Sequence, residues 1–203
     1  MTLDEHFGNI DIYLFDQILR RRIAPGDRIV DAGCGFGRNL VYLLREGYDV
    51  RGADADPDAI AEVRALAARL APALPAGNFR VEPLEAMTFE PGSATVVISS
   101  AVLHFARDDG QFQAMLDGSW RPLASGGMFF CRLASTIGIE SEVRRLHPDG
   151  RRYRLPDGTA RYLVDESLLM ALTERLGGKL LDPLKTTVVQ GQRSMTTWVV
   201  RKN

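Results

Sequence analysis

Nine residues, Asp31-Ala-Gly-Cys-Gly-Phe-Gly-Arg-Asn39, limit what this chain can fold into more than any other stretch. Before them, Arg28-Ile-Val-Asp31 reads as a short apolar strand. After them, Leu40, Val41, Leu43 and Leu44 recur at helical spacing until Gly47, a helix stop. The nine residues therefore form a strand-to-helix turn that carries three glycines. Glycine serves where a chain must take positive φ, or where a ligand must approach the backbone closely. The helix that follows such a turn opens with unpaired N–H groups and a partial positive charge, so the turn offers donors to a ligand.

Strand and helix alternate around it. Residues 9–22 read as an amphipathic helix with Leu14, Phe15, Ile18 and Leu19 on its apolar face. Arg20, Arg21 and Arg22 close that helix at the end where cations are favoured, and Pro25-Gly26 turns the chain into the first strand. A second strand, 48–54, ends at Asp54. Asp56 and Pro57 then suit the N-cap and first position of a helix through Ile60, Val63, Ala67 and Leu70. Residues 78–82 are a third strand. Residues 94–101 are a fourth, so continuously apolar that both faces of its sheet must be covered. Asp108 or Asp109 opens a helix carrying Phe112, Met115, Leu116 and Trp120, and Ser125-Gly-Gly127 turns into a fifth strand over 128–133. This alternation argues for parallel βαβ units in a doubly wound sheet.

Residues 135–165 break the rhythm: they are rich in Arg and Glu, and Pro156-Asp-Gly158 reads as a hairpin. A helix then runs from Asp165 or Glu166 to Leu176 and stops at Gly177-Gly178. Residues 179–189 and 195–200 are two more strands, joined so closely that they must be antiparallel.

One domain, 1–203, is the default at this length. A formal net charge of -1 gives no general pull toward nucleic acid or anionic lipid. Cys34 and Cys131 are too few for a disulfide framework, and no Cys/His cluster has zinc spacing, so no metal is expected. The first residues lack a signal-peptide layout, and no apolar run reaches membrane-spanning length. A soluble, cytoplasmic protein in a reducing compartment is the expectation.

The identity of the turn follows from its spacing. There is no Gly-Lys-Ser/Thr, which disfavours a P-loop. Gly33-x-Gly35-x-Gly37 is not the G-x-G-x-x-G of dinucleotide folds, which disfavours a nicotinamide oxidoreductase. Asp31 precedes the first glycine by two residues, and Asp54, at the end of the second strand and 17 residues past Gly37, can accept from a ribose diol. On these residues, and on its antiparallel C-terminus, the chain resembles the class I S-adenosylmethionine-dependent methyltransferases.

The resemblance implies an α/β fold: a doubly wound, seven-stranded, mostly parallel sheet of order 3-2-1-4-5-7-6, its last strand antiparallel, with helices on both faces. It makes 135–165 a possible substrate-cap insertion. It puts Gly33 and Gly35 under the cofactor's amino-acid end, with Cys34, Arg38 and Asn39 alongside, Cys34 being a small filler rather than a nucleophile. Asp54 would hold the ribose hydroxyls, with Ala55 and Asp56 beside the adenosine. Asp31 would orient the loop or reach the methionine ammonium. Tyr13 would either close over the cofactor or belong to the core. Strand three departs from the family pattern. The usual acidic position falls near Pro83, which has no N–H, so Leu84 becomes the backbone donor to the adenine and Glu85 the acceptor for its amino group.

Methyl transfer is an in-line displacement that demands alignment and the exclusion of water, with a base only where the acceptor must lose a proton. Strand ends form the crevice in such folds, which makes Ser99, Ser100, His104, Arg132 and Lys185 candidates, Ser99 toward the cofactor. His104 is the candidate general base, against a competing reading as a hydrogen-bonded structural residue. The arginines of 135–165 either hold an anionic substrate or pair with neighbouring acids. The absence of Asp/Asn-Pro-Pro-Tyr/Phe after strand four, with the near-neutral charge, favours a small-molecule acceptor over nucleic acid. The expected function is methyl transfer from S-adenosylmethionine to an unidentified small molecule, with S-adenosylhomocysteine as product. The alternative is a non-catalytic S-adenosylmethionine-binding sensor or partner subunit.

Overall fold

The computed structural model describes residues 2–203. Its framework is one large sheet built from β1 (Arg28–Ala32), β2 (Asp49–Asp54), β3 (Phe79–Val81), β4 (Ala94–Ser100) and β5 (Leu123–Ala134), all mutually parallel. Beside β5 lies β11 (Arg193–Lys202), antiparallel to it, and beyond β11 lies β10 (Lys185–Val189). The order β3-β2-β1-β4-β5-β11-β10 is the expected 3-2-1-4-5-7-6. An eighth strand, β9 (Gly178–Leu180), also pairs with β11.

Successive residues of a strand face opposite sides, and the two cores show it. Val30, Val97, Phe129 and Trp198 pack with α5 (Asp109–Trp120) and α6 (Glu166–Arg175). Ile29, Ile98, Phe130 and Val199 face the other side, under α2 (Ile12–Leu19), α3 (Val41–Arg45) and α4 (Pro57–Leu70). Each fully buried Leu, Ile or Phe of this kind contributes about 1.5–3 kcal/mol. A short helix, α1 (Leu3–Phe7), precedes α2, and its Phe7 ring stacks on Tyr42 of α3. On α5, a Cβ at Gly118 would lie 1.9 Å from the Leu84 carbonyl oxygen, so only glycine lets this helix lie so close to the turn at Leu84–Ala86.

The alternation also positions the polar residues at the carboxyl end of the sheet. Asp31, Ser100, Arg132 and Thr197 share the face of Ile29, Ile98, Phe130 and Val199, and run across neighbouring strands, Ser100 pairing with Arg132 and Arg132 with Thr197. Segment 135–165 folds back over this end. It contains a three-stranded antiparallel sheet of β6 (Arg144–Arg145), β7 (Arg152–Arg154) and β8 (Ala160–Tyr162), with Pro156-Asp-Gly158 in the β7–β8 hairpin. Tyr153, Leu155 and Leu163 form a small core with Ala134, and Tyr162 stacks on Phe112 of α5 at 4.3 Å.

Four boundaries differ from those read in the sequence. The α2 helix starts at Ile12, because the Asp11 carboxylate accepts the Tyr13 N–H as an N-cap. The α3 helix is only five residues long, because the turn after the glycines continues to Leu40. Its end therefore carries little of the expected dipole. Ser125-Gly-Gly127 lies inside β5, where the register against β4 shifts at a bulge. Finally, 179–189 is two strands, interrupted at Asp182-Pro183, since proline has no N–H for a ladder. Among the described residues no helix is long and apolar enough to cross a membrane.

Candidate functional site

The turn after β1 is held by its neighbour strand. The Gly33 and Cys34 N–H groups both donate to the Ala53 carbonyl, at 2.8 and 3.1 Å. Gly33 and Gly35 have φ of 81° and 50°. A Cβ on Gly33 would meet Val102 at 2.5 Å, whereas one on Gly35 would meet nothing within 4 Å. Gly33 thus lets the loop lie against Val102, and Gly35 leaves its open side toward a cleft. Asp54 ties the loop from below: one carboxylate oxygen accepts the Gly35 N–H at 2.9 Å, the other the Asp56 N–H at 3.0 Å.

The cleft has a volume of about 430 Å³ and is bounded by the loop from Gly33 to Asn39, by Asp54, and by the segment Ser100–Phe105. Phe36 and Phe105 present exposed rings there. Beneath the loop sits Asp31, 1% exposed, with neither carboxylate oxygen hydrogen-bonded. Burial raises its carboxyl to about 7, helped by the Asp54 charge and opposed by that of Arg38.

Beside the cleft is a charged cluster organised by Asp11. Its carboxylate accepts from Arg132 Nη1 at 3.1 Å and from Ser100 Oγ at 3.2 Å, and lies 3.6 Å from Arg38 Nη2. Arg38 in turn donates to Ser100 Oγ at 3.1 Å, and the Asp11 N–H donates to Asn39 Oδ1 at 3.0 Å. The Tyr13 hydroxyl bonds to Thr187 Oγ1, and its ring lies under the Arg132 guanidinium. So Tyr13 fastens α2 to β10 and is not part of the cleft wall.

A second cavity, about 340 Å³, opens beyond Arg38 and Ala101, the two residues it shares with the cleft. It is roofed by the β7–β8 hairpin and the β10–β11 hairpin. His104 lines it, buried, with Nδ1 accepting the Ala134 N–H at 3.3 Å. That bond places the imidazole proton on Nε2. Burial, with the Arg161 and Arg132 charges, lowers the imidazole to about 4, so it is neutral at pH 7. Both facts count against the general base expected from the sequence.

Of the residues singled out in the sequence, Gly33, Cys34, Gly35, Arg38, Asn39 and Asp54 meet at the cleft, and Asp31 is buried in β1 just before the loop, outside the cleft lining. Cys34 packs against Gly52, and burial pushes its thiol far above the usual range, as befits a filler. Asp56 caps α4, accepting the Asp58 N–H, and it and Ala55 are exposed outside the cleft wall. Leu84 is buried in the α5 core, and Glu85 accepts from Gln111 at 2.8 Å; neither lines the cleft. Ser99 faces the opposite side of the sheet from Ser100, and it is Ser100 that reaches the cleft. Lys185 pairs with Asp16 at 3.5 Å. Sequence reasoning missed Asp11. The acid before an apolar helical run marks a cap, but nothing in the sequence names its guanidinium partners.

A family model described as a methyltransferase domain matches residues 30–131. An uncharacterized methyltransferase of Bacillus subtilis is 31% identical over 134 residues, 66% of this chain and 52% of that protein. The chain spans about half the length of the curated relatives it matches. Among solved structures, a SAM-dependent methyltransferase from Methanosarcina mazei aligns with TM-score 0.70 at 20% identity, over 91% of this chain and 96% of that one. The Burkholderia thailandensis 1,6-didemethyltoxoflavin-N1-methyltransferase, with 1,6-didemethyltoxoflavin and S-adenosylhomocysteine bound, aligns with TM-score 0.69 at 18% identity, over 98% of this chain and 84% of that one.

Proposed function

The chain belongs to the methyltransferase-domain family, and on that premise we propose that it transfers a methyl group from S-adenosylmethionine to a small-molecule acceptor. The observation that carries this reading is Asp31, a buried carboxylate with both oxygens unpartnered beneath the glycine loop. Leaving such a group unpaired costs about 1–3 kcal/mol or more, and a ligand ammonium removes that cost. The cofactor's amino-acid end has such an ammonium, and Arg38 at the cleft wall suits its carboxylate. Each Asp54 oxygen, having accepted one N–H, keeps acceptor capacity for a ribose diol. Phe36 and Phe105 suit the faces of an adenine ring.

When bound, S-adenosylmethionine supplies an electrophilic methyl: the acceptor's lone pair forms the new bond while the carbon–sulfur bond breaks, leaving its electron pair on a neutral thioether. The cavity beyond Arg38 and Ala101 then holds the acceptor, and segment 135–165 acts as its cap within a single domain and keeps water out. His104 serves there as a neutral Nε2–H donor that orients the acceptor without taking its proton. The small substrate named for the Burkholderia enzyme supports an acceptor of that size.

Calorimetry should detect binding of both S-adenosylmethionine and S-adenosylhomocysteine; no heat from either at millimolar concentration sinks the proposal. Release of S-adenosylhomocysteine on screening small acceptors separates an enzyme from a binding module. Asp54→Ala should weaken both ligands by about 1.5–3 kcal/mol, the worth of a charge-assisted hydrogen bond. Unchanged affinity would mean that the ribose lies elsewhere.

A further inference from the structure

The acceptor cavity carries more positive charge than it balances. Four guanidiniums line it, those of Arg38, Arg132, Arg161 and Arg193, against one carboxylate, Asp157, with His104 neutral. Arg38 and Arg132 already share Asp11. Arg161 and Arg193 share no such partner: among the described residues, no carboxylate lies within ion-pair distance of either. Asp157 is engaged by Thr159, whose N–H and hydroxyl both donate to Oδ1 at 2.8 and 2.7 Å, and it feels the two arginines only at longer range.

Arg161 is also held in place. Its guanidinium lies over the Phe105 ring at 4.8 Å and donates to the Ala160 carbonyl at 2.9 Å. The field of these cations is felt inside the cavity, since Arg161 and then Arg132 are the charges that help depress the His104 imidazole. A chain of net charge -1 has no general excess of cations to distribute, so their convergence on one recess is local. Like charges gathered around one recess repel, and an anion entering it relieves that repulsion. Among its polar residues the wall also carries apolar ones, Ala101, Ala134, Leu155, Val189 and Met195, that can meet the body of a ligand.

We propose that the acceptor is a small molecule bearing an oxyanion, a carboxylate or a phosphate, and that Arg161 and Arg193 are the residues that select it by clamping that group at the cap end of the cavity. The apolar body of the molecule then extends toward Arg38 and Ala101, where the cavity meets the cofactor cleft. The identification of the occupant as a methyl acceptor rests on the methyl-transfer reading; the anion clamp itself does not.

The test is titration of the protein with benzoate, phenyl phosphate and the neutral control benzamide, at fixed ionic strength, with and without S-adenosylhomocysteine. Benzoate or phenyl phosphate should bind and benzamide should not, and whichever binds tells the carboxylate from the phosphate. Arg161→Gln and Arg193→Gln should each weaken the anion about 10- to 100-fold, and Arg193→Gln, which lies outside the lining of the cofactor cleft, should leave S-adenosylhomocysteine affinity unchanged. Arg144→Gln removes the same charge from an exposed cap position outside the cavity wall and should leave anion affinity unchanged. If neither anion binds, if benzamide binds as well as benzoate, or if Arg144→Gln weakens the anion as much as the other two, the clamp is overturned. Failure of S-adenosylhomocysteine to bind while the anion still does would instead sink the methyl-transfer reading alone.

Discussion

Asp31→Asn should make the ligand-free protein more stable at pH 8 while weakening its hold on S-adenosylmethionine. Folding lifts this carboxyl from 3.8 to about 7, chiefly through burial. Between those values the folded chain keeps a proton that the unfolded chain has released. Stability from this group therefore falls as pH rises from about 4 to about 7, and the full penalty stands above 7. At about 1.4 kcal/mol for each unit, the penalty is on the order of 4 kcal/mol. An asparagine carries no charge but leaves its amide unpaired, so the net gain at pH 8 should be roughly 1–3 kcal/mol.

His104 works in the opposite sense. Its imidazole falls from 6.5 to about 4, so its contribution rises as pH climbs through that window. In the native sequence the two slopes largely cancel between pH 4 and 6.5, and Asp31→Asn should expose the rising one. Thermal melts at pH 5 and pH 8 check the stability, and calorimetry at the same values checks the ligand. Native affinity should increase with pH up to about 7, because a cation bound at Asp31 expels its proton. A variant that loses stability at pH 8 and binds as before would remove Asp31 from the cofactor site.

The second large effect divides two glycines that look alike in the sequence. Gly33→Ala puts a Cβ 2.5 Å from Val102 at φ 81°. Left-handed backbone and overpacking together should cost roughly 2–5 kcal/mol. Gly35→Ala meets nothing within 4 Å, so the fold should lose only about 1–2 kcal/mol for its φ of 50°. Yet its methyl would stand on the open side of the loop. The expected result is an alanine at 33 that melts early, and an alanine at 35 that melts nearly normally and does not bind S-adenosylhomocysteine. Native-like binding by Gly35→Ala would show that the cofactor does not cross this residue.

The sheet was legible because its signals are local. Three glycines at fixed spacing, an apolar run over 94–101 and Gly177-Gly178 each announce an element without help from distant residues. The loop side of the cleft was legible for the same reason. What stayed hidden depends on register or on long-range contact. Whether Ser99 or Ser100 reaches the cleft turns on a strand period of two, where a slip of one residue exchanges the faces. Ser125-Gly-Gly127 reads as a turn but is absorbed by a bulge in β5. The sequence offers Glu85 to an adenine amino group, and only the fold brings Gln111, 26 positions on, to donate to its carboxylate. Asp11 and Arg132 are 121 positions apart, and Arg161 and Arg193 meet only because two hairpins fold over the same recess.

The Asp11 cluster has a consequence for how the protein comes into being. Residues 11–13 bring the counter-charge for Arg132 and Arg38, and Tyr13 is tied to Thr187 near the other end of the chain. A chain still being synthesised has the glycine loop early but lacks the strand that pins α2 until residue 187 has emerged. Until then Asp11, although made before both arginines, is not fixed beside them by the bond from Tyr13 to Thr187. The glycine loop is thus made well before the strand that fastens α2 beside it.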